Sequence, residues 1–366
     1  MNKYVLIYLF TTIYFVTGCS EPKIQSYDDS VHVIDVDIED WSTIGELPAV
    51  YLPHVSREVS DPRFISVSGD YLVISDHTDS GMLKVFSITH QYQHIGSYGI
   101  AGPGPQEFGL LPFLTRDEPK GEPLLSMIDF SNKVYYKVDI EDIIEDERFV
   151  PIRSIHLPVE LVHSQRVITM NEGELVGLGG GNDGKLVKYD MAADSISEHT
   201  EFVPAIAHDI LNKGYLYTGE MTVNNESGLI AVVSLYFRQL EIYDKNLNLI
   251  IVSRLDDTPE LEIESRDGRY RLLDEARFNY GAIDSYGDKI FVLYINRTIG
   301  EIENGSCIEN PSEIHIYNWE GRFLSRVKLT DCPTTMAYDH IHNRIIGVFG
   351  DTENEEQIIG TYDLIP

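Results

Sequence analysis

Short runs of apolar or alternating residues, separated by Asp, Asn and Gly, follow one another along the chain from Val31 onward. Alternation of apolar and polar side chains is typical of half-buried β-strands, and the residues between the runs favour turns. A helical period is kept only over Asp139 to Glu147 and, less regularly, over Glu264 to Ala276. The pattern therefore predicts an all-β fold with strands of about five to eight residues.

These strands form a loose repeat. The first unit contains strands within Arg63 to His77, Gly81 to Thr89 and Tyr92 to Gly99. Four more units keep the same order of strands and turns: Leu111 to Pro158, Gln165 to Pro204, Tyr217 to Leu255 and Tyr280 to Leu329. Four antiparallel strands in a unit of about 40 to 50 residues are typical of a β-propeller blade.

The last unit lacks a fourth strand. Thr334 to Gly350 supplies two strands and Glu355 to Ile365 a third, whereas Ser30 to Ile38 stands alone before the first unit. Pairing that N-terminal strand with Glu355 to Ile365 closes the ring and leaves no open edge. We therefore expect a six-bladed β-propeller over residues 31–366, closed by the N-terminal strand joining the C-terminal blade.

The first residues resemble a bacterial lipoprotein signal. Lys3 is followed by the apolar run Tyr4 to Phe15, which is short for a membrane span, and by the lipobox-like Val16-Thr17-Gly18-Cys19. The resemblance implies a signal peptide over residues 1–18, diacylglycerol on Cys19 and a polar tether over residues 19–30. We expect attachment to a bilayer of the bacterial envelope, at the outer membrane, on either its periplasmic or its outer side.

The stretch Gly99-Ile100-Ala101-Gly102-Pro103-Gly104-Pro105-Gln106-Glu107-Phe108 lies between the first and second units. Glycine and proline suit a corner that leads from the rim to the axis, so we interpret it as a turn rather than a ligand site. We expect Phe108 to pack between neighbouring blades and Glu107 to accept hydrogen bonds from the loop.

Together, the lipobox, the six units, this glycine-proline stretch and the terminal strand resemble the six-bladed propeller lipoproteins common in Bacteroidetes. Those proteins are related to TolB-like and NHL-type propellers. The resemblance covers residues 31–366 and implies a fold and an envelope location more than a function.

Charge argues against one class of partner. The chain has 28 Lys and Arg against 59 Asp and Glu, a formal charge of −31. Such a surface repels phosphate backbones, so we expect no nucleic-acid partner.

Candidate ligand residues come from the strand ends that would surround a central channel. They are Arg63, Asp76, His77, Arg277, Asn279, Tyr280, His340 and His342. Adjacent strand residues point to opposite faces, so Asp76 and His77 do not form a dyad by themselves. Alternation would place His340 and His342 on one face as for a metal, but the sequence from Asp339 to Arg344 favours a polar turn. Many of the 22 tyrosines suit strand packing, although exposed ones could stack on sugars or peptides.

The cysteines leave one question open. With Cys19 lipidated, Cys307 and Cys332 are the remaining thiols, and an oxidising compartment permits a disulfide between them. We expect Cys307 between the second and third strands of the fifth blade and Cys332 just after its fourth, at the same end of that blade.

No hydrolase, zinc-protease or nucleotide-binding motif is found, so the first hypothesis is a binding or scaffold module for a protein, peptide or glycan. It requires no cofactor. The alternative is a metal-dependent lyase or lactonase-like hydrolase with Ca²⁺ or Zn²⁺ held in the channel. A second alternative is a structural subunit of an outer-membrane uptake or secretion assembly.

Overall fold

The computed structural model describes residues 27, 30–37, 43–78, 81–102, 104, 107–116, 122–171, 173–179, 184–202, 213–255, 263–266, 269–273, 275–303, 311–351 and 356–364. Six antiparallel sheets follow one another along the chain, each with its first strand innermost. The innermost strand of the last sheet contacts that of the first, so the sheets form a closed ring. The predicted six-bladed β-propeller is confirmed.

Three strands precede the first blade: β1 (His32–Val36), β2 (Thr43–Leu47) and β3 (Val50–Tyr51). The first blade contains β4 (Pro62–Ser68), β5 (Tyr71–Asp76), β6 (Leu83–Ser87) and β7 (Gln93–Tyr98). The second contains β8 (Phe113–Arg116), β9 (Leu124–Asp129), β10 (Val134–Asp139) and β11 (Arg153–His156). The third contains β12 (Arg166–Asn171), β13 (Glu174–Leu178), β14 (Leu186–Asp190) and β15 (Ser195–His199).

The fourth blade contains β16 (Gly219–Asn224), β17 (Leu229–Ser234), β18 (Gln239–Tyr243) and β19 (Leu249–Leu255). A separate hairpin follows, β20 (Ile263–Arg266) and β21 (Arg269–Leu272). The fifth blade contains β22 (Arg277–Tyr286), β23 (Lys289–Thr298), β24 (Glu313–Asn318) and β25 (Phe323–Leu329). The sixth contains β26 (Thr335–Asp339), β27 (Arg344–Asp351) and β28 (Glu356–Asp363). The helices are short: α1 (Pro53–Ser56), α2 (Ile140–Glu145), α3 (Val159–Val162), α4 (Lys213–Leu216) and α5 (Ile299–Glu303).

The N-terminal segment closes the ring, but not with the predicted strand. The expected pairing of Ser30–Ile38 with Glu355–Ile365 is wrong, because β1 runs parallel to β19 at the outer edge of the fourth blade. β2 runs parallel to β25 of the fifth blade in the same way. β3 then pairs antiparallel with β28, Val50 opposite Thr361 and Tyr51 opposite Gly360, and supplies the missing fourth strand. The segment therefore follows the rim of three successive blades.

Packing explains why β1 stays on the fourth blade. Val36 is buried in the cluster between the fourth and fifth blades, and Ile34 packs against the same cluster. Moving β1 to the last blade would expose these side chains to water. Exposing a buried valine costs about 1.5–3 kcal/mol of stability.

A second prediction is also wrong. Glu264 to Ala276 overlaps the hairpin β20–β21, in which Ile263 lies opposite Leu272, instead of forming the predicted helix. The Asp-Gly dipeptide between these strands favours a tight hairpin turn over helix continuation. The other predicted helix is confirmed by α2, whose N-cap residue Asp139 accepts a hydrogen bond from the Glu141 N–H.

The core lies between blades. Among the described residues, buried apolar side chains form six clusters, one at each blade interface. Phe108 belongs to the cluster between the first and second blades and is fully buried against Tyr136 and Phe149. The Glu107 carboxylate accepts the Gly104 N–H at 2.8 Å. Both expectations for the glycine-proline stretch are confirmed.

Candidate functional site

The two faces of the ring differ in what they carry. On one face of the ring, each innermost strand begins and each second strand connects to the third strand of its blade. We call this the mouth face. The first-to-second turns lie on the opposite face, the turn face. The channel between the innermost strands encloses about 160 Å³, less than the ~300–1,000 Å³ typical of small-molecule pockets. A larger ligand would therefore contact an opening of the channel rather than enter it.

Arg116 closes the turn-face end of the channel. Its guanidinium donates to the carbonyls of Val67 at 2.7 Å, Ser285 at 3.0 Å and Tyr338 at 2.6 Å. These carbonyls belong to three different blades. The Asp284 carboxylate lies 3.6 Å from the same guanidinium, and the Arg116 side chain is 9% exposed. One side chain thus ties the second blade to the first, fifth and sixth.

A second arginine lies at the mouth-face end. Arg166, the first residue of β12, forms a two-point ion pair with Glu220 near the start of β16. The Arg166 guanidinium carbon is 4.6 Å from the centroid of the Phe113 ring. Phe113 in turn packs on Phe64 with ring centroids 4.0 Å apart. This pre-organised cation over aromatic rings is stabilised by both the carboxylate and the ring face.

The cluster remains accessible. Side-chain exposure is 27% for Arg166 and 21% for Glu220, and both phenylalanines are half-buried. We call Phe64, Phe113, Arg166 and Glu220 the mouth cluster. It presents aromatic surface together with both charge signs, which is suited to stacking and hydrogen bonding with a polar ligand.

Arg63 is the predicted residue closest to this cluster. It lines the channel beside Phe64, and its exposed guanidinium forms an ion pair with Asp61 at 2.9 Å. Asp76 has a different role, because its buried carboxylate accepts the N–H groups of Ser60 and Asp61 and so fixes the entry into β4. His77 is exposed beside it. Asp76 therefore has a structural role at the end of β5.

Arg277, Asn279 and Tyr280 lie at the start of β22 but do not face one ligand together. The Asn279 side chain is buried and accepts the Arg238 guanidinium at 3.0 Å, and Tyr280 is buried with its hydroxyl 3.3 Å from that of Tyr317. Arg277 donates to the Asn296 carbonyl at 2.9 Å. These contacts organise the fourth and fifth blades.

His340 and His342 occupy the turn-face side, in the turn after β26. His340 stacks on Tyr286 with ring centroids 4.3 Å apart, while the His342 ring nitrogen Nδ1 lies 2.8 Å from the Asp339 carboxylate. Burial, with Arg116 adding to it, lowers the pKa of His340. The turn interpretation of this stretch is confirmed, and the two rings do not share one set of contacts.

The metal hypothesis required acids or histidines to converge in the channel. Among the residues the structure describes, no group of three or more His, Cys, Asp or Glu side chains is arranged to hold a metal ion. The channel carboxylates of Glu220 and Asp284 each lie against an arginine instead.

Cys332 is disulfide-bonded, while Cys307 and Cys19 lie outside the described residues. Pairing of Cys332 with Cys307 therefore stays a prediction. The lipobox also lies outside the described part of the chain. Within that part, no helix is both long and apolar enough to cross a membrane.

One buried ion pair connects the third and fourth blades near the mouth face. The Lys185 ammonium lies 2.6 Å from both carboxylate oxygens of Glu241, and both residues are almost fully buried. The Gln239 side-chain amide also donates to Glu241, and the Tyr27 hydroxyl donates to Oε1 of the same Gln239 side chain at 2.6 Å. The start of the N-terminal segment is thus fixed beside these two blades.

Sequence reasoning missed four charged or aromatic residues that line the channel, Arg116, Arg166, Glu220 and Phe113. The three at the mouth lie at or next to the first residue of an innermost strand, the same position that selected Arg63. Selecting the residues at the start of each innermost strand would have identified Phe113, Arg166 and Glu220 in the second, third and fourth blades.

Comparison with known proteins bears only on the fold. No protein family and no curated protein matches the sequence. The structure is similar to a crystal structure of a member of the DUF4221 family from Bacteroides vulgatus, with a TM-score of 0.51 and 11% identity over 83% of this chain and 92% of that one. BamB from Moraxella catarrhalis gives a TM-score of 0.38 and 14% identity over 83% and 85% of the two chains.

Proposed function

We propose that the protein is a binding or scaffold module that holds a protein, peptide or glycan ligand at the mouth cluster. The observation that carries the proposal is the asymmetry of the channel. Arg116 fills one end with bonds to three other blades, whereas Arg166, Glu220, Phe64 and Phe113 leave aromatic and charged surface accessible at the other. Stacking on a sugar ring or a peptide side chain uses such surface directly.

We further propose that the chain is a lipoprotein attached through Cys19 to the bacterial envelope, at the outer membrane. The lipobox-like sequence and the preceding apolar run support this address. A lipid-attached module would meet its ligand next to a membrane, where a fixed binding surface benefits from local concentration.

The binding proposal is tested with residues 20–366 on glycan and peptide arrays. We expect at least one ligand class to bind, and the affinity to fall at least about tenfold in Phe113→Ala and in Arg166→Gln, since each removes a stacking or charged contact. The matched control is Ile152→Ala, at a side chain 56% exposed outside the channel. Binding that is equal in all three variants, or turnover of a bound glycan or lactone, would contradict the proposal. Co-purification with an uptake or secretion complex, without array binding, would favour the structural-subunit alternative.

A further inference from the structure

The last blade has an unusually short fourth strand. β3 has two residues, whereas the fourth strands of the other blades have four to seven. The Leu52 N–H still donates to the Ile359 carbonyl at 2.8 Å, but Pro53 has no N–H and begins α1, which leads the chain away from the sheet. Among the strands that the structure describes, none pairs with the edge of β28 beyond Ile359.

A groove occupies the place of the missing strand residues. Its volume is about 630 Å³, within the ~300–1,000 Å³ range of ligand sites. Tyr51, Pro53, Val59 and Ile358 supply its apolar walls, and Arg57, Ser56, Ser60 and Gln357 its polar ones. It lies on the mouth-face side of the joint between the sixth and first blades, separate from the mouth cluster.

The backbone of β28 can still pair along this groove. The Ile359 N–H and carbonyl both point outward, to Ser56 and Leu52 respectively. Because strand residues alternate, the N–H and carbonyl of Gln357 point the same way. β28 begins at Glu356, so an added strand finds one outward residue to pair with. Because only one residue is available for pairing, the last residues of a partner chain fit this edge better than a longer internal strand would.

Arg57 gives the groove a charge preference. It is exposed at the rim, and among the described residues no carboxylate is paired with its guanidinium. The nearby Asp61 carboxylate is already held by Arg63 and by the Gln357 side chain. A guanidinium without a partner binds a carboxylate in a two-point geometry.

We propose that this groove binds the C-terminal end of a partner protein. The final residues pair with Gln357 as a short added strand, an apolar last side chain packs on Tyr51, Val59 and Ile358, and the terminal carboxylate lies against Arg57. This is β-strand addition combined with recognition of a chain terminus. It is a second site, independent of the function proposed for the mouth cluster.

The test uses the mature chain and a library of pentapeptides joined to a fluorophore at the N-terminus, each with either a free C-terminal carboxylate or a C-terminal amide. We expect peptides with an apolar last residue to bind as carboxylates and to lose about ten- to a hundredfold in affinity as amides. Arg57→Gln should remove the difference between the two forms, and Arg57→Lys should retain part of it.

Two controls separate this site from others. Arg148→Gln removes an exposed arginine elsewhere on the chain and should change nothing. Val159→Ala, at a side chain 66% exposed in α3 and outside both the groove and the mouth cluster, should leave peptide binding intact. The proposal is overturned if no carboxylate peptide binds, if amides bind equally well, or if Arg57→Gln leaves the preference unchanged. Concentration-dependent dimerisation lost in Arg57→Gln would instead assign the groove to a second copy of the chain.

Discussion

At the scale of single residues, the channel is organised by arginines whose partners lie far away in the sequence. Arg116 bonds to residues of the first, fifth and sixth blades, up to 222 positions away. A sequence pattern contains no information about such convergence, because it depends on how six blades close. In contrast, the turn at Asp339 was predictable because it depends on neighbouring residues, and Phe108 was predictable because the glycine-proline corner that precedes it leads the chain from one blade to the next.

We predict that Arg116→Met lowers the free energy of unfolding by about 3 kcal/mol, because three carbonyls and the Asp284 carboxylate lose a buried donor. Arg116→Lys should recover only part of this, since an ammonium cannot reach all four groups in plane. Urea unfolding measures the effect, with the exposed Arg63→Met as control. A loss below about 0.5 kcal/mol would show that Arg116 does not hold the ring together.

His315 makes stability depend on pH. It is fully buried, stacked on Tyr294 at 4.4 Å, with its Nε2 3.1 Å from the Glu313 carboxylate. Burial lowers the pKa of His315 below its ordinary 6.5. The Glu313 carboxylate acts to raise this pKa, whereas the positive charges of Arg326 and Arg238 lower it further. Burial alone would raise the pKa of Glu313, but its hydrogen bond with His315 and the charges of Arg326 and Lys328 lower it overall.

The lowered pKa of His315 means that the unfolded chain binds a proton before the folded chain does. Stability from this group is therefore complete above pH 6.5 and is lost as the pH falls towards the folded pKa. We predict that urea stability declines between pH 7 and 5 with a contribution of at most about 1.4 kcal/mol per pH unit from His315. His315→Gln should flatten that decline. An unchanged slope, with the exposed His77→Gln as control, would show that other groups cause it.

At the scale of elements, the number of blades followed from the repeat, but the strand that closes the ring did not. A two-residue strand such as β3 has no alternation to detect, whereas Ser30 to Ile38 has a clear one. The parallel pairing of β1 and β2 with the rims of the fourth and fifth blades is a tertiary preference, set by side chains such as Val36.

Truncation of the N-terminal segment separates the contribution of β1 and β2 to stability from the closure of the ring by β3. Chains beginning at residue 38 or 48 lack β1, or β1 and β2, and we predict a stepwise fall in melting temperature with cooperative unfolding retained. A chain beginning at residue 53 also lacks β3 and Leu52, so the edge of β28 is open, and we predict loss of the cooperative transition. Calorimetry and circular dichroism measure both. Loss of cooperativity already on removal of β1 would favour closure by β1 instead.

At the scale of the whole molecule, Tyr27 sets how far the propeller can lie from its proposed lipid anchor. Tyr27 is fixed to Gln239 beside the third and fourth blades, eight residues after Cys19. Eight extended residues span at most about 29 Å. If Cys19 is acylated, this side of the ring lies within that distance of the bilayer.

We predict that the wild-type chain sediments with membranes and begins, in its mature form, at a diacylated Cys19. Cys19→Ser should remain in the soluble fraction or keep its signal peptide, because the acyl chains supply the membrane affinity. Fractionation and mass spectrometry of the N-terminal peptide measure this, with Arg148→Gln, an exposed substitution that retains Cys19 and the disulfide, as control. Equal membrane association of wild type and Cys19→Ser would contradict lipid attachment.

The central claim is that a ligand is held at the mouth cluster, and photo-crosslinking in the living cell tests it most directly. A photoreactive benzoylphenylalanine replaces Phe113 in one chain and the exposed Ile152 in another. We predict a discrete adduct from position 113, absent from position 152 and lost when Arg166→Gln is added. Adducts of equal yield at both positions, or an adduct from position 152 alone, would contradict ligand binding at the mouth cluster.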